Sequence, residues 1–424
     1  MKTDETSESI HEAETSFFNG PKVEIERLNL GPGVPLGIEQ VYNPEVGIGG
    51  AYGSWGDAFD NEELQQLLEQ HLGEPLPAEE RMNLAELGFV SRHHIPVLTD
   101  QEDIELEMQV GARFLRQAAA ACGWQPGEVE AVLIGASGPA TLDYTEQIAR
   151  AAGISDSALK VSIHKACDGA VAGLNLALNP SLPANHSLER NLAEELAGKK
   201  VLVGGIEGLS RFLKYSHDKN ALQLFGNGAG VIGLIPGQTM SLLTSRTHEN
   251  FDSEGVLQVK MVYPYDGRNT MKDSMIEVST VTPQHYRVSG RMHTPENDEP
   301  IIMAGLMGMV KLFVRTGVDV VAEVYQDYLA RAAELDPRGQ GIAMAVVHHA
   351  NLKINKLKEK HLQREGINVS MPWVMSEFGN TSAASAMIAF LRQLPGMKAG
   401  DHILIDGFGA GTYYDTLAVK LAGR

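Results

Sequence analysis

Residues 131–138 read AVLIGASG and residues 343–351 read AMAVVHHAN, two apolar runs that each stop at small or polar residues. Each run is followed by a polar turn feeding a helix of small residues: HKACDG into AVAGLNLAL (164–178) in the first case, EFGNTSAASAMIAFL (377–391) in the second. A third apolar run closes each unit, KKVLVGGIEG (199–208) and DHILIDGFGAG (401–411). Such short apolar runs bounded by glycine read as buried strands, and their alternation with helices reads as parallel β–α–β units. From Ala131 to Cys167 is 36 residues and from Ala343 to Asn380 is 37, so this register sets Cys167 against Asn380. The later legs differ, 34 residues from Cys167 to Val201 against 22 from Asn380 to His402. The surplus falls on NPSLPANHSLERN (179–191), which reads as a surface insertion. Two units of one plan predict a duplicated α/β fold, whose helices, leaving the strand ends, converge on one cleft.

Working outward, apolar residues at helical spacing over Ile104–Ala121 predict a helix, followed by a strand over Val129–Gly135. The first twenty residues are polar and acidic and read as a solvated tail. Gly31–Gly56, rich in glycine and aromatic residues, reads as an ordered but irregular loop region. The expected division is a tail and extension over 1–40, a first half over 41–236 and a second half over 237–424. Within the second half, the polar strand-like runs of about 237–300 read as an insertion. Ile301–Leu335 has apolar residues three and four apart and reads as helix, lining a pocket or packing the core.

The chain has 424 residues, 43% of them hydrophobic, and a formal charge of −19. That charge repels nucleic acid and anionic membrane surfaces, so neither is an expected partner. With two cysteines, Cys122 and Cys167, and neither an export signal at the start nor an apolar run long enough to span a bilayer, the expectation is a cytoplasmic protein with free thiols.

Three places carry chemistry. Cys167 precedes a Gly/Ala-rich helix, where unpaired backbone N–H groups and the helix dipole favour a thiolate; an inert buried cysteine is the structural alternative. His348 and His349 close a strand, where an imidazole can serve as acid or base in a cleft or simply sit in a satisfied pair. Asn380 opens the second helix, where its amide can donate to a developing oxyanion or merely cap.

KACDGAVAGL, LFGNGAGVIGL, VHHANLKI, FGNTSAAS and DGFGAGTYYDTLAVKL occur in this order. Together they resemble the ketoacyl-ACP synthase III branch of the thiolase superfamily, over roughly residues 104–234 and 341–421. The resemblance implies a homodimer of five-layered αβαβα subunits. It implies Cys167 as acyl carrier, His348 and Asn380 polarising the thioester carbonyl of a second substrate, and a second oxyanion hole from the backbone N–H groups of Cys167 and Ala410. Substrates would be acyl-CoA or an acyl carrier protein, with coenzyme A or phosphopantetheine as part of the substrate and no bound cofactor or metal. Lys353, Lys356, Lys358 and Lys360, on the helix after VHHAN, would face the acidic carrier. Arg92, after GFVS, matches loosely an arginine that contacts the nucleotide end of coenzyme A.

Departures stand beside the matches. Val347 replaces proline before the histidine, and His349 replaces glutamine after it, as filler or as an accessory group. Asp168 follows the nucleophile, where a carboxylate opposes a thiolate unless it points away. Glu207, at a strand end, could act as a base for condensations that do not begin with decarboxylation, or be a glutamate paired at a turn. The expected activity is Claisen condensation of the Cys167-bound acyl group with a malonyl- or acyl-thioester in a specialised fatty-acid or polyketide-type pathway. The alternatives are acyl transfer to an alcohol or amine on the same fold, and a catalytically silent partner subunit.

Overall fold

The computed structural model describes residues 26–28, 34–95, 97–182, 184, 190–211, 219–249, 276–290, 313–409 and 413–422. Fifteen strands are described: β1 Glu26–Leu28, β2 Val34–Asn43, β3 Ile48–Trp55, β4 Asp57–Asp60, β5 Ser91–His94, β6 Ala131–Gly135, β7 Leu159–His164, β8 Val201–Glu207, β9 Gly228–Leu234, β10 Met240–Glu249, β11 Ile276–Thr282, β12 His285–Gly290, β13 Ile342–Val347, β14 His402–Gly409 and β15 Tyr413–Leu421. The longer helices are α1 Asn61–Leu72, α2 Asp100–Ala121, α3 Tyr144–Ala152, α4 Gly169–Leu178, α5 Arg315–Ala330, α6 Leu352–Arg364 and α7 Ser385–Gln393.

One sheet runs β1-β2-β3-β9-β8-β6-β7-β12-β11 and another β10-β15-β14-β13, with β4 and β5 a separate ladder. Within them β3-β9-β8-β6 and β10-β15-β14-β13 match in order and in direction, two antiparallel pairings and then a parallel one. The duplication expected from sequence is therefore built into the sheets.

Side-chain alternation along the strands makes the layers, because successive residues point to opposite faces. Ala131 and Leu133 of β6 join a core with α4 and α7, whereas Val132 and Ile134 join another with α2 and α3. In the second sheet Ile403 and Ile405 face α4 and α7, while Leu404 and Phe408 face α5 and α6. Three apolar cores thus join five layers, αβαβα, the middle core enclosing the central helices on both sides. All ten residues of α4 are buried, as expected of a helix apolar on every side and held between two sheets. On the outer face, α2 starts at a capping box of Thr99 and Glu102 and buries Leu106, Val110, Phe114 and Ala118.

Three boundaries are corrected. Val34–Gly56 is not an irregular loop: β2 and β3 pair through it, and β1 pairs with β2, so the sheet already includes strands before residue 40. Its glycines are there for close approach, since a Cβ on Gly53 would fall 1.9 Å from Gly37 O. The stretch 237–300 is not one insertion. β10 is the edge strand of the second sheet, while β12 pairs in parallel with β7 and β11 with β12, so that pair extends the first sheet. Of the expected 301–335 helix, the part from Arg315 is α5, and 301–312 lies outside the described residues.

Candidate active site

Two matching turns meet where α4 and α7 begin. After β7, Ala166 adopts φ +47°, a 3-10 turn spans Ala166–Asp168, and α4 follows. In the second half Ser382 adopts φ +46°, a 3-10 turn spans Ser382–Ala384, and α7 follows. Left-handed backbone in a residue with a Cβ is costly, about 1–3 kcal/mol, and here it turns the chain sharply from strand or loop into helix. The structural equivalents are thus Ala166 and Ser382, which sets Cys167 against Ala383. The sequence register that set Cys167 against Asn380 is off by three residues.

The turns abut, a Cβ on Gly169 falling 3.3 Å from Ala383 Cβ, and each is packed on a strand: a Cβ on Gly205 of β8 would fall 2.4 Å from the Ala383 carbonyl carbon, and one on Gly409 of β14 3.0 Å from Cys167 N. Ser382 Oγ lies 3.2 Å from Cys167 Sγ, and Ser382 N donates to Asn380 Oδ1 at 2.8 Å. His348, at the end of β13, donates its backbone N–H to Asp406 O at 2.9 Å, and its ring meets Phe408 edge-on at 4.8 Å. Phe408 immediately precedes Gly409, which abuts Cys167. The three residues singled out from sequence therefore lie along one short chain of contacts: Cys167 through Ser382 to Asn380, and Cys167 through Gly409 and Phe408 to His348. Ala410, the expected second backbone donor, lies outside the described residues.

Burial pushes the Cys167 thiol up to about 12; the Ser382 hydroxyl opposes the rise, and the charges of Glu207 and Asp168 add to it. Burial likewise takes His348 down to about 3, helped by His349 and the Lys358 ammonium, so the imidazole is neutral at physiological pH. Its Nδ1 is buried with no hydrogen-bond partner.

Asp168 is engaged by a lysine and makes no side-chain cap on α4. It lies under the turn, 2.9 Å from Lys165 Nζ, and Lys165 also binds Asp415, which accepts from Asn175 (2.6 Å) and Thr247 (2.6 Å). Burial and the neighbouring Asp415 push Asp168 well above the carboxylate range. For Asp415 burial works in the same direction, but Lys165 and the hydrogen bonds prevail and hold it below. Lys165 thus stands as the counter-charge between the two buried acids.

Other sequence candidates sort differently. His349 is structural: its Nδ1 lies 2.7 Å from Val347 O, its Nε2 accepts from Val374 N at 3.2 Å, and Trp373 covers the ring at 4.5 Å. An accessory catalytic role for it is not supported by that packing. Arg92 is wholly buried, with its guanidinium on Gln223 O and, at 2.9 Å, Asn61 Oδ1; it does not present a face to a nucleotide. Lys353, Lys356 and Lys360 are exposed on α6, but Lys358 is not: it is buried against Asp406 and lies 4.6 Å over the Phe408 ring. The helical period explains the difference, since residue 358 shares a face with buried Ile354 and Leu362.

Glu207 is buried at the end of β8. It accepts from Ser137 Oγ (2.7 Å), Ser137 N (2.8 Å) and Ala383 N (3.1 Å), and Ser137 Oγ in turn contacts Ser382 Oγ. Ser137 and Ser382 were missed as site residues because each reads as a small residue inside a glycine- or alanine-rich motif. The signal that would have found Ser382 is its repeat equivalence to Ala166, once the register is corrected.

The chain is similar to several known proteins. Residues 332–421 match the family model for the C-terminal part of 3-oxoacyl-acyl-carrier-protein synthase III. The beta-ketoacyl-acyl-carrier-protein synthase III of Helicobacter hepaticus is 26% identical over 338 residues, 77% of this chain and 85% of that protein. That of Clostridioides difficile is 27% identical over 266 residues, 62% of this chain and 68% of that protein. Among solved structures, the 3-oxoacyl-acyl-carrier-protein synthase III of Aquifex aeolicus superposes with TM-score 0.58 at 18% identity, over 89% of this chain and 99% of that one. Tetrahydroxynaphthalene synthase of Streptomyces coelicolor, a type III polyketide synthase, superposes with TM-score 0.58 at 12% identity, over 88% and 98%. At those identities the two superpositions speak for the fold alone.

Proposed function

We propose, from the premise that the chain belongs to the ketoacyl-ACP synthase III-like branch of the thiolase superfamily, that it carries an acyl group on Cys167 and condenses it with a malonyl- or acyl-thioester. The observation that carries this reading is the contact chain joining Cys167 to Asn380 through Ser382 and to His348 through Gly409 and Phe408.

Loading is attack of the Cys167 sulfur on an acyl-thioester carbonyl, with loss of the donor thiol. In the second step a neutral imidazole and a carboxamide act as hydrogen-bond donors to the thioester oxygen of the other substrate, whose charge grows as the enolate forms. His348 suits that role because it is neutral. With no acceptor beside Nδ1 and the Lys358 ammonium nearby, the ring proton belongs on Nε2, since a buried lone pair without a partner costs less than a buried N–H without one. The enolate carbon then attacks the Cys167 thioester and regenerates the thiol. With a malonyl donor, the enolate arises by loss of carbon dioxide.

His348→Ala and Asn380→Ala should each leave acyl loading on Cys167 nearly intact, while slowing condensation by about 10²–10³-fold, as for loss of one oxyanion donor. Single-turnover mass spectrometry separates the two steps. Product mass with a malonyl donor tests the class of reaction: transfer of the acyl group to an alcohol or amine, without a new C–C bond, would overturn the condensing assignment.

Donors would be thioesters of coenzyme A or of an acyl carrier protein, and the working unit a homodimer. The exposed Lys353, Lys356 and Lys360 offer positive charge to an acidic carrier. Reversing all three to Glu should raise KM for a carrier-bound substrate at least about tenfold at low salt, with little change for the matching CoA thioester. Equal changes for both substrates would remove α6 from carrier docking.

A further inference from the structure

Cys167, Ser382, Ser137 and Glu207 form one continuous line of polar atoms, half-buried at Cys167 and buried from Ser382 to Glu207. Ser382 Oγ stands 3.2 Å from Cys167 Sγ, Ser137 Oγ contacts Ser382 Oγ, and Ser137 Oγ reaches Glu207 Oε1 at 2.7 Å. The residues come from four separate places in the fold, the turn before α4, the turn before α7, the segment after β6 and the end of β8, so the alignment is tertiary and not local. Resting on the reading of Cys167 as acyl carrier, we propose that this line is a proton relay, which takes the thiol proton to Glu207 during acyl loading.

The hydrogens balance. In the structure the Ser382 hydroxyl donates to Cys167 Sγ and the Ser137 hydroxyl to Glu207; once the Ser382 O–H turns to Ser137 and the S–H to Ser382, the line has three links and three hydrogens, S–H to Ser382, its O–H to Ser137, and the Ser137 O–H to Glu207. Moving each hydrogen one link along leaves a thiolate, two intact hydroxyls and a carboxylic acid, again three hydrogens for three links. In the loading step the Cys167 sulfur attacks the thioester carbonyl, the S–H proton enters the line, and Glu207 takes one up. When the tetrahedral intermediate collapses and the C–S bond to the donor breaks, the departing thiolate takes its proton from the Ser382 hydroxyl, Ser137 reprotonates Ser382, and Glu207 reprotonates Ser137 and is a carboxylate again.

Electrostatics favour this arrangement. A thiolate beside an ionised Glu207 would place two negative charges in a dry site, whereas the shift keeps one. Burial raises Glu207 to about 7, against the hydrogen bonds from Ser137 and Ala383 that lower it, so its proton affinity suits neutral pH. The groups facing this line from the packed elements are Cys167 and Asp168 on the α4 turn, Glu107 on α2 with its ion-paired Arg211, and Tyr144 on α3. Neither Ser137 nor Ser382 needs to ionise.

Loading of Cys167 from an acyl-CoA should be followed in single turnover by intact-protein mass, from pH 5.5 to 9, for the wild type and for Glu207→Gln, Ser137→Ala and Ser382→Ala. The wild-type rate should rise through a midpoint near neutral pH. Glu207→Gln should lose that limb and load at least about 10²-fold more slowly at neutral pH. Ser137→Ala, which keeps Glu207 but interrupts the line, should do the same, so a folding failure in one variant leaves the other to decide. A slower rate with the wild-type limb intact would mean that Glu207 merely holds the turn, and would overturn the relay. So would unchanged loading in both variants. No adduct on the wild-type Cys167 with any donor would instead remove the acyl-carrier reading beneath it.

Discussion

Cys167→Ala should abolish the covalent acyl adduct and lower turnover by at least about 10³-fold, the scale of losing a nucleophile in a covalent mechanism. The side chain is small and only partly buried, so the fold should tolerate Ala, with circular dichroism and denaturation midpoint close to wild type. This keeps the loss specific to chemistry. Intact mass after incubation with a panel of acyl-CoA and acyl-carrier donors makes the check. An adduct of the same mass on the Ala variant would show that another residue carries the acyl group, and Cys122, buried with its sulfur 3.7 Å from Gly233 O, would be the first to map.

Lys165→Met should be the most destabilising single change near the site. Lys165 is the cation that Asp168 and Asp415 share, and both acids are buried. Removing one partner of a buried ion pair costs about 3–5 kcal/mol, because the remaining charge is left dehydrated and uncompensated. Its pH dependence has a definite sign. In the wild type Asp415 is held below its unfolded value of about 3.9, so the stability it contributes is present above that pH and is lost as pH falls through the lower folded value. Without Lys165, burial should raise Asp415 above its unfolded value, so the deficit of the variant should shrink as pH falls from 7 toward 4. Denaturant titrations at several pH values test this. Adding Asp415→Asn should recover part of the loss at pH 7, and a double variant no more stable than the single one would dismiss the shared-cation account.

The corrected features share one physical origin. Lys358 reads as one of four lysines on a solvated helix, yet it is the one whose position on the 3.6-residue period turns it inward to Asp406. Gly50 and Gly53 read as loop glycines, but they lie in a strand where neighbouring backbone leaves no room for a Cβ. Ser137 and Glu207 sit 70 residues apart, and nothing local marks them as partners.

What the sequence determined by itself is what repeats along the chain: two β–α–β units, the small-residue helices at their centres, and the order of the cysteine, histidine and asparagine motifs. Period and spacing are local quantities, so they survive without a structure. Only the tertiary structure decided which groups face one another. It placed Ala166, not Cys167, opposite the left-handed turn of the second half, sank Lys358, Arg92 and His349 into the interior, and strung two serines between a thiol and a carboxylate. Those outcomes depend on which strand lies beside which and on how far each side chain is removed from water, quantities that exist only once the two halves have packed together.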